Sequence, residues 1–481
     1  MQSSLTSSNS LANAAVMLLC VLAAALIGWS IVNPPQDWTA LLYIGVALFA
    51  LSFINWRVGV FTVLFLLILE GAIRKWVFPE WQQFVYLAKD VILFGTYLRF
   101  FGGKIVLHEQ LFLHHPINRF IALLFFWGLA ETLNPSLPNL LVGAFGLKAY
   151  FHYIPLFYML PELFSSKQAL TRFLIFYALC SIPLSVLGII QFFSPPDSPL
   201  VMYLGWGEQS KVSPVSFVGS FPRVSGTFSF ISGYVTYLFV LVLILFGLLN
   251  MRENVSGRKK VSLFLALILA LGNLFMTGSR WPIFMLVLLI PVMFLTAGRL
   301  STGGALRLLP RVAFGMIIVT FVLSLFFRDA VTAFWERTST NEDVEARIID
   351  TVTTPFVFAG YGFAWGSGIG STHQATAFLV RNQSPFSWLP TDDFEEEPER
   401  IMLELGVIGF LLFYGLKLAF LLTSWRVARQ LNNLDLKLIA MVVFLVQLGF
   451  FLSPTVFNVT ASFYFWFISG FLLLLPRLDK V

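Results

Sequence analysis

Long apolar stretches recur along almost the whole chain, and they constrain the fold more than any other feature of the sequence. Each runs for about 17–24 residues without the alternation of polar and apolar residues that marks a half-buried strand. A helix of about 20 apolar residues crosses a bilayer, and only helices and closed barrels satisfy their backbone hydrogen bonds there. The stretches therefore predict an all-α polytopic membrane protein.

The composition agrees with a membrane protein and excludes several other classes. Charged residues make up 12% of the 481 residues, about half the share in a soluble domain, and 58% are hydrophobic. The two cysteines, Cys20 and Cys180, both fall inside predicted spans, so they build neither a disulfide framework nor a metal site. The net charge of +6 is spread over many loops, which indicates membrane topology rather than binding to nucleic acid.

We predict about 14 transmembrane helices in a single polytopic membrane domain that covers residues 1–481. The first apolar stretch is too long for a typical signal peptide, so we interpret it as a permanent helix. The approximate spans are 11–32, 39–55, 58–73, 83–101, 117–133, 138–160, 170–193, 229–249, 262–279, 281–297, 312–327, 401–423, 438–456 and 458–475.

Basic residues are concentrated in alternate short loops, which fixes the expected orientation. With the N-terminus inside, 18 of the 31 Lys and Arg residues fall on the cytoplasmic side. Both termini are then cytoplasmic, and residues 194–228 and 328–400 form periplasmic loops. The basic residues left on the outer face oppose the usual bias, so some of them are expected to serve an anionic ligand.

The large loop, 328–400, contains an unusually large share of the acidic residues. Thirteen of the 25 acidic residues lie between Asp329 and Glu404, and a glycine-rich segment leads up to His373. That segment lacks a lysine in Walker spacing and the strand–turn–helix context of a dinucleotide site, so neither motif is predicted. We therefore expect the functional site of the protein to lie in this loop.

Two outer arginines are candidates for binding phosphate. Arg280 lies in a tight hairpin at a helix end, where its guanidinium could bind an anion with two hydrogen bonds, or could simply extend to the membrane surface. Arg223 is followed by Ser, Gly and Thr at the entry to a span, which suits either an anion site or a cap and turn. Two crossings separate the arginines, so we predict that they meet at the outer face.

Several other polar groups are candidates for catalysis or binding. His373 could act as a base or a phosphate donor, or could be a structural loop residue. Glu395 and Glu399 belong to an acidic run that could supply a base or could be a solvated loop. Lys148 lies one helical turn before His152 on the same face. The intramembrane charges Glu70, Lys89 and Asp90 are functional candidates, although Lys89 and Asp90 could instead form a buried ion pair.

Three segments in order resemble the O-antigen ligase and O-antigen polymerase superfamily of bacterial envelope proteins. They are Arg223-Val-Ser-Gly-Thr-Phe, then Thr277-Gly-Ser-Arg280, then a large loop ending in Leu403-Glu-Leu-Gly-Val-Ile-Gly-Phe. The segment Gly146-Leu-Lys-Ala-Tyr-Phe-His-Tyr-Ile-Pro155 is similar to the exopolysaccharide branch. The resemblance covers roughly residues 140–475.

This resemblance implies a metal-independent, inverting glycosyltransferase with a GT-C-like fold and no cofactor. It implies that Arg223 and Arg280 bind the diphosphate of an undecaprenyl-diphosphate-linked glycan, with Lys148 as a further candidate, and that His373 lies near the acceptor. The expected function is a polysaccharide polymerase of the bacterial inner membrane, with membrane lipid and a chain-length regulator as expected partners. The alternatives are a ligase that moves the finished glycan to a lipid or protein, a flippase or transporter, and a non-catalytic assembly subunit.

Overall fold

The computed structural model is mainly helical. It describes residues 37–204, 211–212, 217–218, 220–251, 256–299, 321, 325–340, 349, 351, 353–357, 364–373, 376–380 and 396–480. Within these residues, seven helical segments are long and apolar enough to cross a membrane: Trp56–Val77, Leu140–Leu163, Lys167–Phe192, Ile231–Asn250, Gly257–Met276, Glu397–Gln430 and Val459–Asp479. The prediction of a helical membrane protein is thereby confirmed. The number of 14 spans stays a prediction, and the predicted span 11–32 lies outside the described residues.

Four of these seven segments are interrupted helices. They divide into Trp56–Ala72 and the π-helical turn Ile73–Val77; Leu140–Phe151 and Ile154–Leu163; Lys167–Leu179 and Ser181–Phe192; Val459–Ser469 and Phe471–Asp479. The other helices are Asp37–Ile54, Gln82–Val106, Ile117–Thr132, Arg280–Arg299, Arg328–Thr340, Thr376–Leu379 and Leu434–Gly449, with a 3-10 turn at Pro199–Val201.

Two short antiparallel ribbons interrupt the helical structure between residues 203 and 222. The strand Tyr203–Leu204 pairs with Lys211–Val212, and Phe217–Val218 pairs with Phe221–Pro222. The second ribbon ends directly before Arg223. The segment predicted as the periplasmic loop 194–228 is therefore partly ordered by backbone pairing.

The chain groups into two compact units. The first holds residues 1–113 with Thr227–Ser229, and the second holds 114–226 with 230–481. The prediction of one membrane domain over residues 1–481 is not tested by this grouping and stays a prediction.

Buried polar side chains join helices inside the second unit. Asn273 is completely buried, donates to the backbone oxygen of Ser185 at 3.0 Å and accepts from the Tyr234 hydroxyl at 2.9 Å. A Cβ on Gly188 would lie 1.9 Å from the Asn273 side chain, so only glycine permits this approach. Small residues and interhelical hydrogen bonds are the usual contacts between membrane helices.

Asparagine side chains begin several helices of the second unit. Asn139 accepts from the Val142 backbone N–H at 3.0 Å, Asn433 accepts from Asp435 at 3.0 Å, and Asn458 accepts from Ala461 at 3.2 Å. Each bond satisfies one of the donors that the first turn of a helix leaves unpaired. These caps fix where the helices around the candidate site begin.

Candidate active site

The carboxylate of Glu404 holds the glycine-rich segment of the large loop. It is completely buried and accepts from the Tyr150 hydroxyl at 2.9 Å and from the Gly370 backbone N–H at 3.0 Å. It also accepts from the Thr372 backbone N–H and hydroxyl at 2.9 and 2.7 Å. With four donors around one carboxylate, Glu404 fixes the backbone directly before His373.

A break in the Glu397–Gln430 helix allows the loop to pack this way. Gly406 has φ 65° and ψ −174°, which frees the carbonyl groups before it. The carbonyls of Leu403 and Glu404 accept from the Ser367 and Gly368 backbone N–H groups at 2.8 and 3.1 Å. The Leu405 carbonyl accepts from the Trp127 indole N–H at 2.9 Å. The loop backbone and one indole thus replace the missing helical hydrogen bonds.

Close backbone contact with the Leu140–Phe151 helix completes the loop's position. Gly370 has φ 84°, and a Cβ on Gly146 would lie 2.6 Å from the Gly370 backbone nitrogen. Any side chain at Gly146 would therefore displace the loop. The motif that begins at Gly146 serves the same loop twice, because its Tyr150 bonds Glu404.

Arg400 clamps the loop from the other side. Its Nε donates to the Thr372 hydroxyl at 3.1 Å and its Nη2 donates to the Thr372 carbonyl at 2.6 Å. The guanidinium carbon lies 3.5 Å from the centre of the Phe457 ring, and the side chain is only 8% exposed. A planar guanidinium can lie flat on an aromatic ring while its N–H groups donate within its plane.

A buried ion pair holds the segment that leads to Phe457. The Lys417 ammonium, 2% exposed, donates to Glu397 at 3.0 Å and to the carbonyls of Phe450 and Phe451 at 3.0 and 3.1 Å. Glu397 in turn accepts from the Val456 backbone N–H at 2.6 Å. The charges of this pair are used to fix the segment that carries Phe457.

His373 lies against two aromatic rings and near two positive charges. Its ring centre lies 4.9 Å from that of Phe145 and 6.4 Å from that of Phe457. Burial, together with the charges of Arg400 and Lys148, lowers the pKa of His373 to about 3. The imidazole is therefore neutral at physiological pH and can accept a proton only weakly.

Lys148 belongs to the surroundings of His373. Its ammonium lies 5.1 Å from the centre of the Phe145 ring, the same ring that His373 contacts. The sequence analysis grouped Lys148 with the diphosphate-binding arginines. The structure brings it together with His373 and Arg400, and its role as a diphosphate ligand stays a prediction.

Arg223 is anchored on the turn that precedes Arg280. Its Nε donates to the Thr277 carbonyl at 2.6 Å, and its Nη2 donates to the Ser279 hydroxyl at 2.9 Å. The Tyr203 hydroxyl donates to the Arg223 carbonyl at 2.6 Å and fixes its backbone. Burial raises the pKa of Tyr203 to about 12, so its hydroxyl stays protonated.

Arg280 begins the helix that follows this turn, next to Ser279. Its Nη1 is buried and has no hydrogen-bond partner among the residues that the structure describes. A buried donor without a partner costs roughly 1–3 kcal/mol, more when it is charged. Arg223 therefore reaches the residue next to Arg280, and Arg280 itself offers an unused donor.

Of the two acidic residues predicted as candidate bases, the structure describes Glu399 but not Glu395. Glu399 is 4% exposed, and its carboxylate accepts from the Glu396 backbone N–H at 3.0 Å, as in a capping box. This contact gives Glu399 a structural function at the start of the Glu397–Gln430 helix, and its catalytic role stays a prediction. Glu395 lies outside the described residues.

The intramembrane charges of the first unit form a buried network. Lys89, 1% exposed, donates to Glu70 at 2.7 Å and lies 3.6 Å from the centre of the Tyr86 ring. Arg74 also donates to Glu70, at 3.2 Å, and to the Ser229 hydroxyl at 3.1 Å. Lys89 therefore forms a buried ion pair with Glu70, whereas the sequence analysis considered Asp90 as its partner.

Glu397 belongs to the acidic run that sequence reasoning considered as a source of bases, but Arg400 and Lys417 were given no role in the site. The available signal was that Arg400 begins an apolar span and Lys417 lies inside it, where charge is costly without a partner. Within the described part of the chain, no group of three His, Cys, Asp or Glu side chains could hold a metal ion.

Neither a scan of protein-family models nor a search of curated proteins gives a match to this chain.

Proposed function

We propose that this protein is a polysaccharide polymerase of the bacterial inner membrane, which extends repeat units linked to undecaprenyl diphosphate. The observation that carries the proposal is the arginine pair: Arg223 is bonded to Ser279, and the adjacent Arg280 has a buried nitrogen without a partner. Negative charge develops on a diphosphate as it leaves the sugar. Fixed guanidinium groups stabilise that charge without a metal ion.

The proposed reaction is an inverting displacement. An acceptor hydroxyl oxygen forms a bond to the anomeric carbon while the bond from that carbon to the diphosphate oxygen breaks. The hydroxyl proton passes to a base, and the diphosphate leaves between Arg223 and Arg280. His373 is the proposed base because its imidazole is neutral and its backbone is fixed by Gly370 and Thr376.

Contacts in the second unit support the alternation of sides on which the proposed topology, with two cytoplasmic termini and periplasmic loops at 194–228 and 328–400, is based. On the proposed outer side, Asn134 donates to the Gly366 carbonyl at 3.2 Å. On the proposed inner side, Arg477 donates to the Pro161 carbonyl at 3.1 Å and Lys167 lies 3.3 Å from Asp435. Each contact joins segments that the alternating topology places on the same side.

A transporter is the second candidate, because the helix break at Gly406 is a feature that transporters use at substrate and ion sites. In such sites the freed carbonyl groups face the ion. Here the carbonyls of Leu403, Glu404 and Leu405 already accept protein hydrogen bonds. Because these carbonyls are already used to hold the loop, they are not left to bind an ion. This favours the transferase over the transporter.

The deciding experiment is turnover by the purified full-length protein in liposomes with a lipid-diphosphate-linked glycan. Chain growth supports the polymerase, a single transfer to a different acceptor indicates the ligase, and movement of the lipid without transfer indicates the transporter.

Arg280→Ala should slow transfer by about 10- to 100-fold. Arg280→Lys should recover only part of the transfer rate because an ammonium lacks the planar fork. Arg258→Ala, at an exposed position on the proposed inner side, is the matched control. Full activity in Arg280→Ala would reject the diphosphate role.

A further inference from the structure

Two basic side chains, one histidine and two aromatic rings form a single cluster in the second unit. We call it the Phe145–Phe457 cluster; it contains Phe145, Lys148, His373, Arg400 and Phe457. The Phe145 ring centre lies 5.1 Å from the Lys148 ammonium and 4.9 Å from the His373 ring centre. The Phe457 ring centre lies 6.4 Å from that of His373 and 3.5 Å from the Arg400 guanidinium carbon. Three groups that can donate to an anion are thus grouped with two aromatic rings.

Arg400 has donor capacity that the protein does not use. Its Nε and Nη2 are bonded to Thr372, whereas Nη1 has no hydrogen-bond partner among the described residues. The side chain is more than nine-tenths buried, and an anionic ligand could accept from Nη1 through a charge-assisted hydrogen bond.

The acidic groups near Arg400 in the described part of the chain already accept from other donors. Glu404 accepts four hydrogen bonds from Tyr150, Gly370 and Thr372. Glu397 is paired with Lys417, and Glu399 accepts from the backbone at the start of its helix. These carboxylates hold the loop and the helix end, and none of them accepts from the Arg400 Nη1.

We propose that the Phe145–Phe457 cluster binds an acidic sugar residue of the glycan through its carboxylate, with the sugar ring against the aromatic side chains. The carboxylate would accept from Arg400 and Lys148, and the apolar face of the sugar would pack on Phe145 and Phe457. The source of this sugar rests on the proposed function. The binding chemistry itself depends only on the cluster.

Binding of a carboxylate here has a consequence for His373. Arg400 and Lys148 both lower its pKa. An anion between them would offset that effect and raise the pKa, since a nearby negative charge favours the protonated imidazole. The acidic sugar would therefore make His373 a stronger base when the substrate is in place.

The test is binding of methyl β-D-glucuronide to the full-length protein in detergent, measured by ligand-observed NMR, with methyl β-D-glucoside as the uncharged control. We expect the glucuronide to bind about 10-fold or more tightly than the glucoside. Arg400→Gln and Lys148→Gln should each abolish the preference, Arg400→Lys should keep part of it, and the exposed Lys259→Gln should leave it unchanged. Equal binding of the two sugars by the wild type would overturn the proposal.

Further arms separate this site from the diphosphate site and from a folding defect. Arg280→Gln should leave the glucuronide preference intact even though it impairs transfer, so the two proposals fail independently. If inorganic diphosphate, and not the glucuronide, binds in a manner that depends on Arg400, the ligand is a phosphate group and the sugar carboxylate is rejected. Because Arg400→Gln also removes bonds to Thr372, Lys148→Gln decides the outcome if Arg400→Gln unfolds.

Titration of His373 gives an independent readout. In a variant with His108, His114, His115 and His152 replaced by glutamine, the remaining imidazole can be followed by NMR. The glucuronide should raise its midpoint by about one pH unit, a 10-fold change in proton affinity, and the glucoside should not. A midpoint that the glucuronide leaves unchanged contradicts binding beside His373.

Discussion

The Glu404 carboxylate accepts hydrogen bonds from both the backbone N–H and the hydroxyl of Thr372, at 2.9 and 2.7 Å. The two residues are 32 positions apart, so this contact closes the end of the large loop onto the helix that follows it. Arg400 holds the same threonine through its hydroxyl and carbonyl. His373 is positioned by this neighbour and by its own backbone, whose N–H donates to the Gly370 carbonyl at 3.0 Å and whose carbonyl accepts from Thr376 at 2.8 Å.

We predict that Glu404→Gln loosens the loop. Glutamine keeps the shape, but its amide nitrogen turns one acceptor into a donor that faces donors, at a cost of about 1–3 kcal/mol. Hydrogen exchange of peptides covering residues 364–373 should become faster, while exchange in the buried Ile231–Asn250 helix stays unchanged. Glu109→Gln, at an exposed position, is the control. Unchanged exchange near Thr372 would show that the loop does not depend on this carboxylate.

Arg223 and Arg280 should differ in their effects on stability. Arg223→Ala removes bonds to Thr277 and Ser279, so we expect a loss of about 1–3 kcal/mol and a lower thermal midpoint. Arg280→Ala removes a guanidinium whose Nη1 is buried without a partner, so its midpoint should be unchanged or higher. Thermal unfolding of the purified proteins measures both. Equal destabilisation by the two substitutions would contradict the assigned contacts.

The buried pair Glu397–Lys417 should show strong coupling. Glu397→Gln or Lys417→Met alone leaves one buried charge uncompensated, which costs about 3–5 kcal/mol. The double variant removes both charges and should recover more than half of that loss. A double-mutant cycle on the free energy of unfolding measures the coupling. Additive losses would show that the two charges do not act as a pair.

Acid should destabilise the wild type through His373. Its folded pKa, about 3, lies below the unfolded value near 6.5. The stabilising contribution is therefore complete above the unfolded pKa and is lost as pH falls from about 6.5 towards 3, by at most about 1.4 kcal/mol per pH unit. His373→Gln should flatten this part of the stability profile between pH 7 and 4. A profile that the substitution does not change would place His373 in a solvated environment.

The proposed topology predicts opposite labelling of two exposed serines. In a variant without Cys20 and Cys180, Ser136→Cys should react with a membrane-impermeant thiol reagent in intact spheroplasts, and Ser256→Cys should not. Both side chains are exposed in the structure, so access through the membrane decides the result. Ser371, although part of the large loop, is only 3% exposed and would be a poor reporter. Reversed labelling would invert the orientation.

The amino-acid sequence alone determined the class of fold, because span length and apolar content act within one segment. It also predicted that Arg223 and Arg280 approach each other, since the length of two crossings returns the chain to the same face. In the structure, Arg223 donates to the hydroxyl of Ser279, the residue directly before Arg280. The asparagine caps and the helix start near Glu399 are likewise local features that sequence can indicate.

Only the tertiary structure decided which charges meet. Lys89 pairs with Glu70, 19 positions away, although Asp90 is its neighbour in sequence. Tyr150 and Glu404 are 254 positions apart, and their contact depends on two helices and a loop packing together. A buried charge must find a partner, and the sequence shows that need; which partner it finds depends on helix packing, because side chains distant in sequence become neighbours only when the helices assemble.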